Sequence, residues 1–463
     1  MKPSESPLKV FLMLLATVAV LVPLQWLPTF CIGSYETKPV AILSDVLPKH
    51  AMPQQQIVEL ADSIPAVPKA PKVKPALQES RPDSMVCIDD YANDSLRGMT
   101  PFYAALSERH TLGRPVRVAY LGDSFIEADI LTGELRRMLQ ERFGGCGVGF
   151  LDIDPPYAAN RATVRQTAAG WASHCVRNKG KYDRERLNVN QSYYLPQGKA
   201  WTEVKGVKMS RLDSAEVHTL YLSSTTATQV ELSLNDGPMD TLHTQGTGRA
   251  EALSRTAKAG RAKWLVTGGA DVTCWGVAEE GTNGVSLDNF SLRGTSGATL
   301  SQVPIEQLQA FNAVRPYDLI VLEYGLNVAE KKRLDYSQYA RQMQKVVEHM
   351  KQGFPQAGIL IVGVGDREMK QPDGTLQTMP SIVALSRTQQ NLAADCHVAF
   401  WNLFEAMGGE GSIKEMAEKK PAEANKDYTH INVRGGKHIA GILFKTIIYG
   451  YDQYERQKKY EAE

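Results

Sequence analysis

The chain has 463 residues, more than the roughly 250–300 at which a single hydrophobic core stops growing, which argues against one compact domain. Lysine and arginine total 52 against 51 acidic residues, and the resulting net charge of +1 excludes the binding of a polyanion by bulk electrostatics. Hydrophobic residues at 43% and charged residues at 22% exclude a chain that is disordered throughout.

The N-terminal segment, residues 1–35, has the pattern of a membrane anchor. Lys2 and Lys9 precede an uncharged and mostly apolar run over residues 10–35, and roughly 20 such residues suffice to cross a bilayer as a helix. The run lacks a convincing small-x-small cleavage site, which favours an uncleaved anchor over a secretory signal peptide. With the lysines inside, we expect a single-pass protein of the inner cell membrane whose remaining chain is extracytoplasmic.

Residues 36–85 have the composition of a linker. Apolar residues show no period, and prolines recur every three or four positions with lysines between them, at Pro65, Pro68, Pro71 and Pro75. Such a segment favours extended polyproline II. We therefore expect a semi-rigid spacer that holds a folded domain away from the membrane.

Apolar strands alternate with helical patterns from residue 86 onward. Residues 116–122 form an apolar β-type run that ends in a Gly-Asp-Ser turn, and residues 128–143 then have helical spacing. The same alternation returns later in the chain, with strands over 317–323, 359–363 and 397–401 and helices over 336–351, 402–407 and 435–449. This pattern predicts an α/β fold with a doubly wound parallel sheet, built from residues 86–164 and 289–455.

A second folded element is expected inside this α/β region. The interval between Ser124 and Gly297 far exceeds the roughly 30–40 residues of a strand–helix–strand unit. Within it, β-type runs are separated by turn signals, which predicts an inserted β-sandwich over residues 165–288. Its aromatic residues are candidates for a sugar-stacking platform, although core packing is the more frequent role: Trp171, Tyr193, Tyr194, Trp201, Trp264 and Trp275.

Reactive side chains are expected where the loops converge, at the carboxyl ends of the parallel strands. Ser124 follows the first strand, Asn327 follows the strand over 317–323, and Asp427 and His430 precede the last helix. A serine attacks a carbonyl when a base takes its proton, and a histidine does this best when a carboxylate fixes its tautomer. Taken singly, however, a Gly-Asp-Ser sequence is more often a plain turn and an Asp-x-x-His sequence a helix cap.

Together and in this order, the motifs resemble those of the SGNH, or GDSL, hydrolase family. Its first block matches Gly122–Ser124, and its last block matches the pair Asp427 and His430. The best match to its oxyanion glycine lies in Ser296–Thr299. Its Gly-x-Asn-Asp block matches Gly325–Asn327, with Val328 in place of the aspartate.

The resemblance implies a role for each matched residue. Ser124 would be the nucleophile, His430 the base and Asp427 the carboxylate that orients it. Ser124, Gly297 and Asn327 would form the oxyanion hole. The departure at Val328 weakens the third block but leaves its asparagine in place.

A narrower resemblance lies in residues 122–136, 143–150 and 407–409, which look like the branch of peptidoglycan and polysaccharide O-acetylesterases with an inserted β-sandwich. It implies a serine esterase that removes O-acetyl groups from an extracytoplasmic glycan, with a module like a carbohydrate-binding module. Two alternatives stay open: an O-acetyltransferase that uses the same acyl-serine chemistry, with a membrane acyltransferase as a candidate partner, and a tethered glycan-binding protein with an inert core. The expected partners are an O-acylated glycan and the membrane, and no nucleic acid.

No cofactor or metal is predicted. The chemistry of an acyl-serine does not require a metal, and no cluster of histidines and carboxylates has ligand spacing. The six cysteines include no C-x-x-C pair, so the sequence supports neither a zinc ribbon nor a thioredoxin-type redox site. Disulfides are allowed outside the cytoplasm, but their pairing is left open.

Overall fold

A computed structural model describes residues 12, 31–32, 35–36, 81–93, 98–178, 181–269 and 271–462. The chain divides into two compact units, Met1–Ser63 and Ile64–Glu463. In the first unit, strands β1 (Cys31–Ile32) and β2 (Tyr35–Glu36) pair antiparallel. Most of the predicted anchor and linker lies outside the described residues. Among the helices that are described, none combines the length and the apolar character needed to span a membrane.

The second unit contains the other described strands and helices. The strands are β3 (Asp89–Asp90), β4 (Val116–Gly122), β5 (Gly149–Asp152), β6 (Arg165–Cys175), β7 (Ser192–Lys205), β8 (Ala215–Ser224), β9 (Gln229–Leu234), β10 (Asp240–His243), β11 (Glu251–Ala259), β12 (Arg261–Gly268), β13 (Val272–Glu280), β14 (Val285–Ser291), β15 (Leu319–Glu323), β16 (Gly358–Val362), β17 (Glu368–Lys370), β18 (Leu376–Thr378) and β19 (Ala399–Trp401). The helices are α1 (Thr100–Ser107), α2 (Thr132–Phe143), α3 (Ile305–Val314), α4 (Ser337–Gly353), α5 (Pro380–Asp395), α6 (Leu403–Met407), α7 (Ser412–Glu418) and α8 (Val433–Ala462).

A six-stranded sheet has the order β14-β4-β15-β16-β19-β3. Its first five strands are parallel, and β3 pairs antiparallel with β19 at one edge. Alternate residues of β4 enter opposite apolar clusters: Ala119 and Leu121 pack with α3, α4 and α5, whereas Val118 and Tyr120 pack with α1, α2 and α8. Helices thus cover both faces of the sheet, and the predicted α/β fold with a parallel sheet is confirmed.

The strands from β5 to β13 form a separate nine-stranded antiparallel sheet. Strand β13 pairs with β8 on one side and with β5 and β7 on the other. Side chains from both halves of this sheet, such as Leu220 on β8 and Val230 on β9, share one apolar cluster. The insertion is β-rich as expected, but its strands form one continuous nine-stranded sheet with its own core, and not the two separate sheets of the predicted sandwich.

The boundaries of the insertion differ from the predicted 165–288. Strand β5, residues 149–152, belongs to the antiparallel sheet, and residues 285–288 belong to β14 of the parallel sheet. The glycine-rich turn before β5 explains the early boundary: a Cβ at Gly147 would lie 2.2 Å from the Glu279 carbonyl oxygen. These glycines let the chain leave α2 and pass directly against β13.

The folded region also begins before the predicted boundary at residue 86. Arg81 donates a hydrogen bond to Asp89 of β3, with 2.6 Å between Nη1 and Oδ1. Trp401 of β19 donates its indole N–H to the Val86 carbonyl at 3.0 Å. The last residues of the predicted linker are therefore attached to the edge of the parallel sheet.

A buried ionic network joins the two sheets. Arg315 contacts Asp288 of β14 at 2.8 Å and Glu280 of β13 at 3.0 Å, and Arg117 of β4 contacts Glu280 at 2.7 Å. Burial raises the pKa of Glu280, but the charges of Arg117 and Arg315 outweigh it and hold this pKa well below its usual range. Removing one member of such a pair leaves an uncompensated buried charge and costs about 3–5 kcal/mol, so single substitutions in this network are expected to destabilise the protein.

Candidate active site

Ser124 lies in the turn that follows β4, beside the end of β15. In the order β14-β4-β15, the strands on either side of β4 both come later in the chain, so the chain winds outward in two directions from this point. A crevice at such a switch point is the usual ligand site of doubly wound sheets. The fold therefore places Ser124 where a substrate would be expected.

The turn after Ser124 is held by a buried carboxylate. Ala128 and Asp129 have positive φ angles of 55° and 64°, which only few non-glycine residues adopt. The Asp129 carboxylate accepts hydrogen bonds from Arg136 at 2.9 Å, Arg161 at 2.8 Å and the hydroxyl of Thr163. Burial raises the pKa of Asp129, but the two guanidinium groups outweigh it and lower this pKa far below its usual value.

The structure brings Ser124, His430 and Asp427 into one hydrogen-bonded series. Ser124 Oγ lies 3.2 Å from His430 Nε2, and His430 Nδ1 lies 2.8 Å from Asp427 Oδ2. The other carboxylate oxygen, Oδ1, accepts the backbone N–H groups of Thr429 and His430, each at 3.0 Å. Asp427 thus orients the imidazole and holds the loop that carries it.

Asp427 is suited to remain ionised near neutral pH. Partial burial raises its pKa, but hydrogen bonds from the His430 backbone, the His430 ring and Thr429 outweigh this effect and lower the pKa below its usual value. The side chains of His430 and Asp427 are 42% and 48% exposed. The series therefore lies on an open surface that a large substrate can reach.

The other two predicted oxyanion residues, Gly297 and Asn327, both donate hydrogen bonds to Thr295. Gly297 donates its N–H to Thr295 Oγ1 at 3.2 Å, and Asn327 Nδ2 donates to the Thr295 carbonyl at 2.9 Å. Gly297 has a φ of 88°, and a Cβ there would lie 2.8 Å from the Tyr324 ring. A glycine is required at this position, and Thr295 holds both predicted donors.

Asn327 is also bound by Asp123, the central residue of the Gly-Asp-Ser turn. Asn327 Nδ2 donates to Asp123 Oδ2 at 2.8 Å, and Phe125 N–H donates to Asp123 Oδ1 at 3.0 Å. Burial raises the pKa of Asp123 to about 6, although these hydrogen bonds and the charge of His430 lower it in part. Val328 is not needed for this arrangement, because Asp123 and Thr295 together orient the asparagine.

Neither Thr295 nor a role for Asp123 was predicted from the sequence. Asp123 had a local signal, since it belongs to the Gly-Asp-Ser motif. Thr295 had none, because a threonine two residues before a glycine is common. Its contribution appears only once β14 and β15 lie on either side of β4.

Neither metal ligands nor disulfides contribute to the described site. The described residues hold no group of three or more histidine, cysteine, aspartate or glutamate side chains that could bind a metal ion. Five cysteines of the described chain are free: Cys87, Cys146, Cys175, Cys274 and Cys396.

Asn327→Ala is expected to lower kcat by about 10²–10³-fold if the amide donates to a developing oxyanion. Steady-state hydrolysis of a small acetyl ester measures this effect. Val328→Ala is the matched control, since it alters the adjacent residue of the same turn and leaves the Asn327 amide in place. An unchanged kcat for Asn327→Ala would assign the oxyanion to backbone N–H groups alone.

Comparison with known proteins supports the fold. No family model and no curated protein matches the sequence. The chain is similar to a solved structure titled "Peptidoglycan O-acetylesterase in action", with a TM-score of 0.65 and 21% identity over 79% of this chain and 99% of that chain.

Two further solved structures have low TM-scores and low sequence identity to this chain. A family two carbohydrate esterase from Clostridium thermocellum has a TM-score of 0.26 and 10% identity, over 57% of this chain and 98% of that chain. A GDSL-like lipase from Parabacteroides merdae has a TM-score of 0.27 and 11% identity, over 35% of this chain and 73% of that chain. The resemblance noted in the sequence is thus confirmed at the level of the fold, by the peptidoglycan O-acetylesterase.

Proposed function

We propose that this protein is a serine esterase that removes O-acetyl groups, or similarly small acyl groups, from an extracytoplasmic glycan such as peptidoglycan or a surface polysaccharide. The observation that carries the proposal is the series Ser124–His430–Asp427, with 3.2 Å and 2.8 Å between successive partners. The fold shared with a peptidoglycan O-acetylesterase supports the choice of substrate.

In the first half of the reaction, Ser124 Oγ attacks the acetyl carbonyl while His430 Nε2 takes the hydroxyl proton. Asp427 accepts the Nδ1–H of His430 and stabilises the imidazolium. Collapse of the tetrahedral intermediate breaks the ester bond, and His430 returns the proton to the departing sugar oxygen. The products of this half are a free sugar hydroxyl and acetyl-Ser124.

In the second half, a water attacks acetyl-Ser124 and His430 takes its proton. The bond between the acetyl carbon and Ser124 Oγ breaks, His430 returns the proton to Oγ, and acetic acid leaves and ionises to acetate in solution. The negative oxygen of both intermediates would be stabilised by the backbone N–H groups of Ser124 and Gly297 and by the Asn327 amide. Because Thr295 already accepts from Gly297 and Asn327, the oxyanion would have to share or displace those hydrogen bonds.

The proposal is tested with the full-length protein on O-acetylated peptidoglycan and on 4-nitrophenyl acetate. Release of free acetate from both is expected, with no acetyl group appearing on an added oligosaccharide. Acetyl transfer to the oligosaccharide would favour the O-acetyltransferase and its membrane acyltransferase partner. Glycan binding without turnover of either substrate would favour an inert core on a membrane tether.

Only two of the six predicted platform aromatics are accessible in the insertion. Tyr193, Tyr194, Trp264 and Trp275 are buried in apolar clusters. Trp171 and Trp201 are half-buried neighbours: the Trp171 indole donates to the Trp201 carbonyl at 2.9 Å, and Lys263 Nζ lies 4.6 Å from the Trp201 ring centre. We propose that a sugar-binding role of the insertion uses this pair.

Trp171→Ala and Trp201→Ala are each expected to raise the KM for the polymeric glycan by about tenfold, or about 1.4 kcal/mol. The kcat for 4-nitrophenyl acetate should stay nearly unchanged, because neither ring contacts the series at Ser124. Met239→Ala is the control, since Met239 is an exposed apolar side chain of the same insertion. Equal losses on both substrates would show that the pair supports the active site structurally.

We further propose that residues 1–35 anchor the protein once in the inner membrane, with the hydrolase-like unit outside the cytoplasm. The support is Lys2 and Lys9 before an uncharged run of sufficient length. Protease treatment of intact spheroplasts should cut between residues 36 and 84 and release a soluble fragment. Protection of that segment until the membrane is permeabilised would place the unit in the cytoplasm.

A further inference from the structure

Gln191 of the insertion has a left-handed backbone conformation and a buried side chain that accepts a hydrogen bond from Thr299. It is 1% exposed and has a φ of 57°, in the left-handed region that glycine favours. Its backbone is fixed from both sides, because its N–H donates to the Asn188 carbonyl at 2.6 Å and its carbonyl accepts from Val176 at 3.1 Å. Strained conformations of this kind persist where the surroundings determine them, and they cluster at functional sites.

The segment that presents Gln191 is attached to the antiparallel sheet. Asn190 Nδ2 donates to Asp152 of β5 at 2.7 Å and to the Trp275 carbonyl of β13 at 3.1 Å. Leu187 and Val189 are fully buried on the same segment. Asn190 therefore ties this segment to the antiparallel sheet, and Leu187 and Val189 pack in the apolar cluster that also includes Ala119 and Leu121 of β4.

From Gln191, hydrogen bonds lead through Thr299 to Thr295, which contacts two of the three predicted oxyanion residues. The Thr299 hydroxyl donates to Gln191 Oε1 at 2.6 Å, and Thr299 Oγ1 lies 3.2 Å from Thr295 Oγ1. Thr295 Oγ1 in turn accepts the Gly297 N–H at 3.2 Å, and the Thr295 backbone carbonyl accepts Asn327 Nδ2 at 2.9 Å. Two threonine hydroxyls thus connect Gln191 to the Gly297 N–H, and the backbone of Thr295 carries the connection on to the Asn327 amide.

Other contacts of the same loop reach the segment after Gly297 but stop short of the donors. The Tyr182 hydroxyl donates to Gln302 Oε1 at 3.0 Å, and Arg184 Nε donates to the Gln302 carbonyl at 2.5 Å. Gln307 donates to the Glu185 carbonyl at 2.8 Å. These exposed contacts support the interface without reaching Thr295, whereas among the described contacts of this loop the Gln191 contact continues to Thr295 through Thr299.

We propose that Gln191 is a positioning residue for the oxyanion hole, through which the insertion sets the geometry of Gly297 and Asn327 by way of Thr299 and Thr295. The inference rests on the proposed esterase function, since it assigns these donors to the developing oxyanion. It gives the insertion a part in the chemical step that is separate from any binding of glycan.

Thr299→Val removes the hydroxyl and keeps the shape, whereas Thr299→Ser keeps the hydroxyl. Thr299→Val and Gln191→Leu are each expected to lower the kcat for 4-nitrophenyl acetate by about 10- to 100-fold with KM close to wild type, because misplaced groups lose rate steeply. A modest fall in Tm is expected as well, because one partner of the Gln191–Thr299 hydrogen bond is lost. Thr299→Ser should keep most of the rate. Tyr182→Phe, which removes an exposed contact of the same loop, should leave kcat unchanged.

The double variant Gln191→Leu/Thr299→Val tests whether the two residues act through one hydrogen bond. It should be no slower than the slower single variant, because the second substitution finds the contact already lost. Multiplied losses in the double variant, a wild-type kcat for Thr299→Val, or a loss confined to KM would each overturn the proposal.

A second measurement does not depend on turnover. Hydrogen exchange of peptides covering residues 292–303 should be faster in Thr299→Val and Gln191→Leu than in wild type and Thr299→Ser. Equal exchange in all four proteins would overturn the positioning role. A wild-type protein that hydrolyses no acetyl ester would refute the proposed function instead, and the exchange rates would still decide whether Gln191 holds the segment.

Discussion

Ser124→Ala is expected to lower kcat on every acyl ester by at least about 10⁴-fold, because it removes the nucleophile while the rest of the site remains. Ser124 is half-buried in a turn, and the substitution deletes one hydroxyl and no core volume. The free energy of unfolding should therefore change by no more than about 0.5 kcal/mol.

The matched control is Ser296→Ala, which removes a serine hydroxyl from the neighbouring loop that carries Gly297. It should leave both the rate and the stability near those of wild type. A Ser124→Ala protein with wild-type kcat would remove the nucleophile assignment. A Ser124→Ala protein that fails to fold would instead show that the hydroxyl is needed for the turn.

Asp427→Asn should lower kcat by about 10³–10⁴-fold with little change in stability. An asparagine can keep Oδ1 as the acceptor for the backbone N–H groups of Thr429 and His430, so the loop should be retained. Its NH₂ group would then face His430 Nδ1 and favour the tautomer that carries its proton on Nε2. That tautomer cannot accept the proton of Ser124.

Circular dichroism and kcat measured on the same preparation separate the two effects of Asp427→Asn. Asp427→Ala serves as the contrast, because it also removes the acceptor of two backbone hydrogen bonds and should lower Tm. An Asp427→Asn protein that retains more than about a tenth of the wild-type kcat would show that His430 does not depend on this carboxylate for its tautomer.

The parallel sheet could largely be predicted from sequence because most of its strands are apolar on both faces. Strands β15 and β16 are continuous apolar runs, and each was expected within two residues of its observed bounds. Strand β14 was missed, because Ser286, Asp288 and Asn289 interrupt the apolar pattern. Their polar groups are buried all the same, since Arg315 binds Asp288 and Asn289 donates to the Ile126 carbonyl.

The candidate site was predictable to the extent that its residues follow strand ends in motifs. Ser124, Asp427 and His430 were placed by short local sequences, and the structure brings them within hydrogen-bonding distance. Thr295 and Gln191 carry no such signal. Their contacts join segments far apart in sequence, and only the pairing of the strands brings those segments together.

The insertion was predictable as a β-rich element but not in its relation to the site. Alternating residues and turn signals predict strands, but they do not show which side chains form the contacts between the two sheets. The Arg117–Glu280–Arg315 network and the Gln191–Thr299 contact both lie at that junction. An independent carbohydrate-binding module would need neither of them.

The most direct test of the proposed chemistry is to locate the acyl group on the enzyme. Full-length protein is mixed with 4-nitrophenyl acetate, quenched in acid during turnover and digested, and the acetylated peptide is sequenced by mass spectrometry. We expect acetyl on Ser124 in the wild type, more of it in a variant whose deacylation is slowed, and none in Ser124→Ala. Acetate release at the wild-type rate with acetyl on another residue, or on none, would contradict the account.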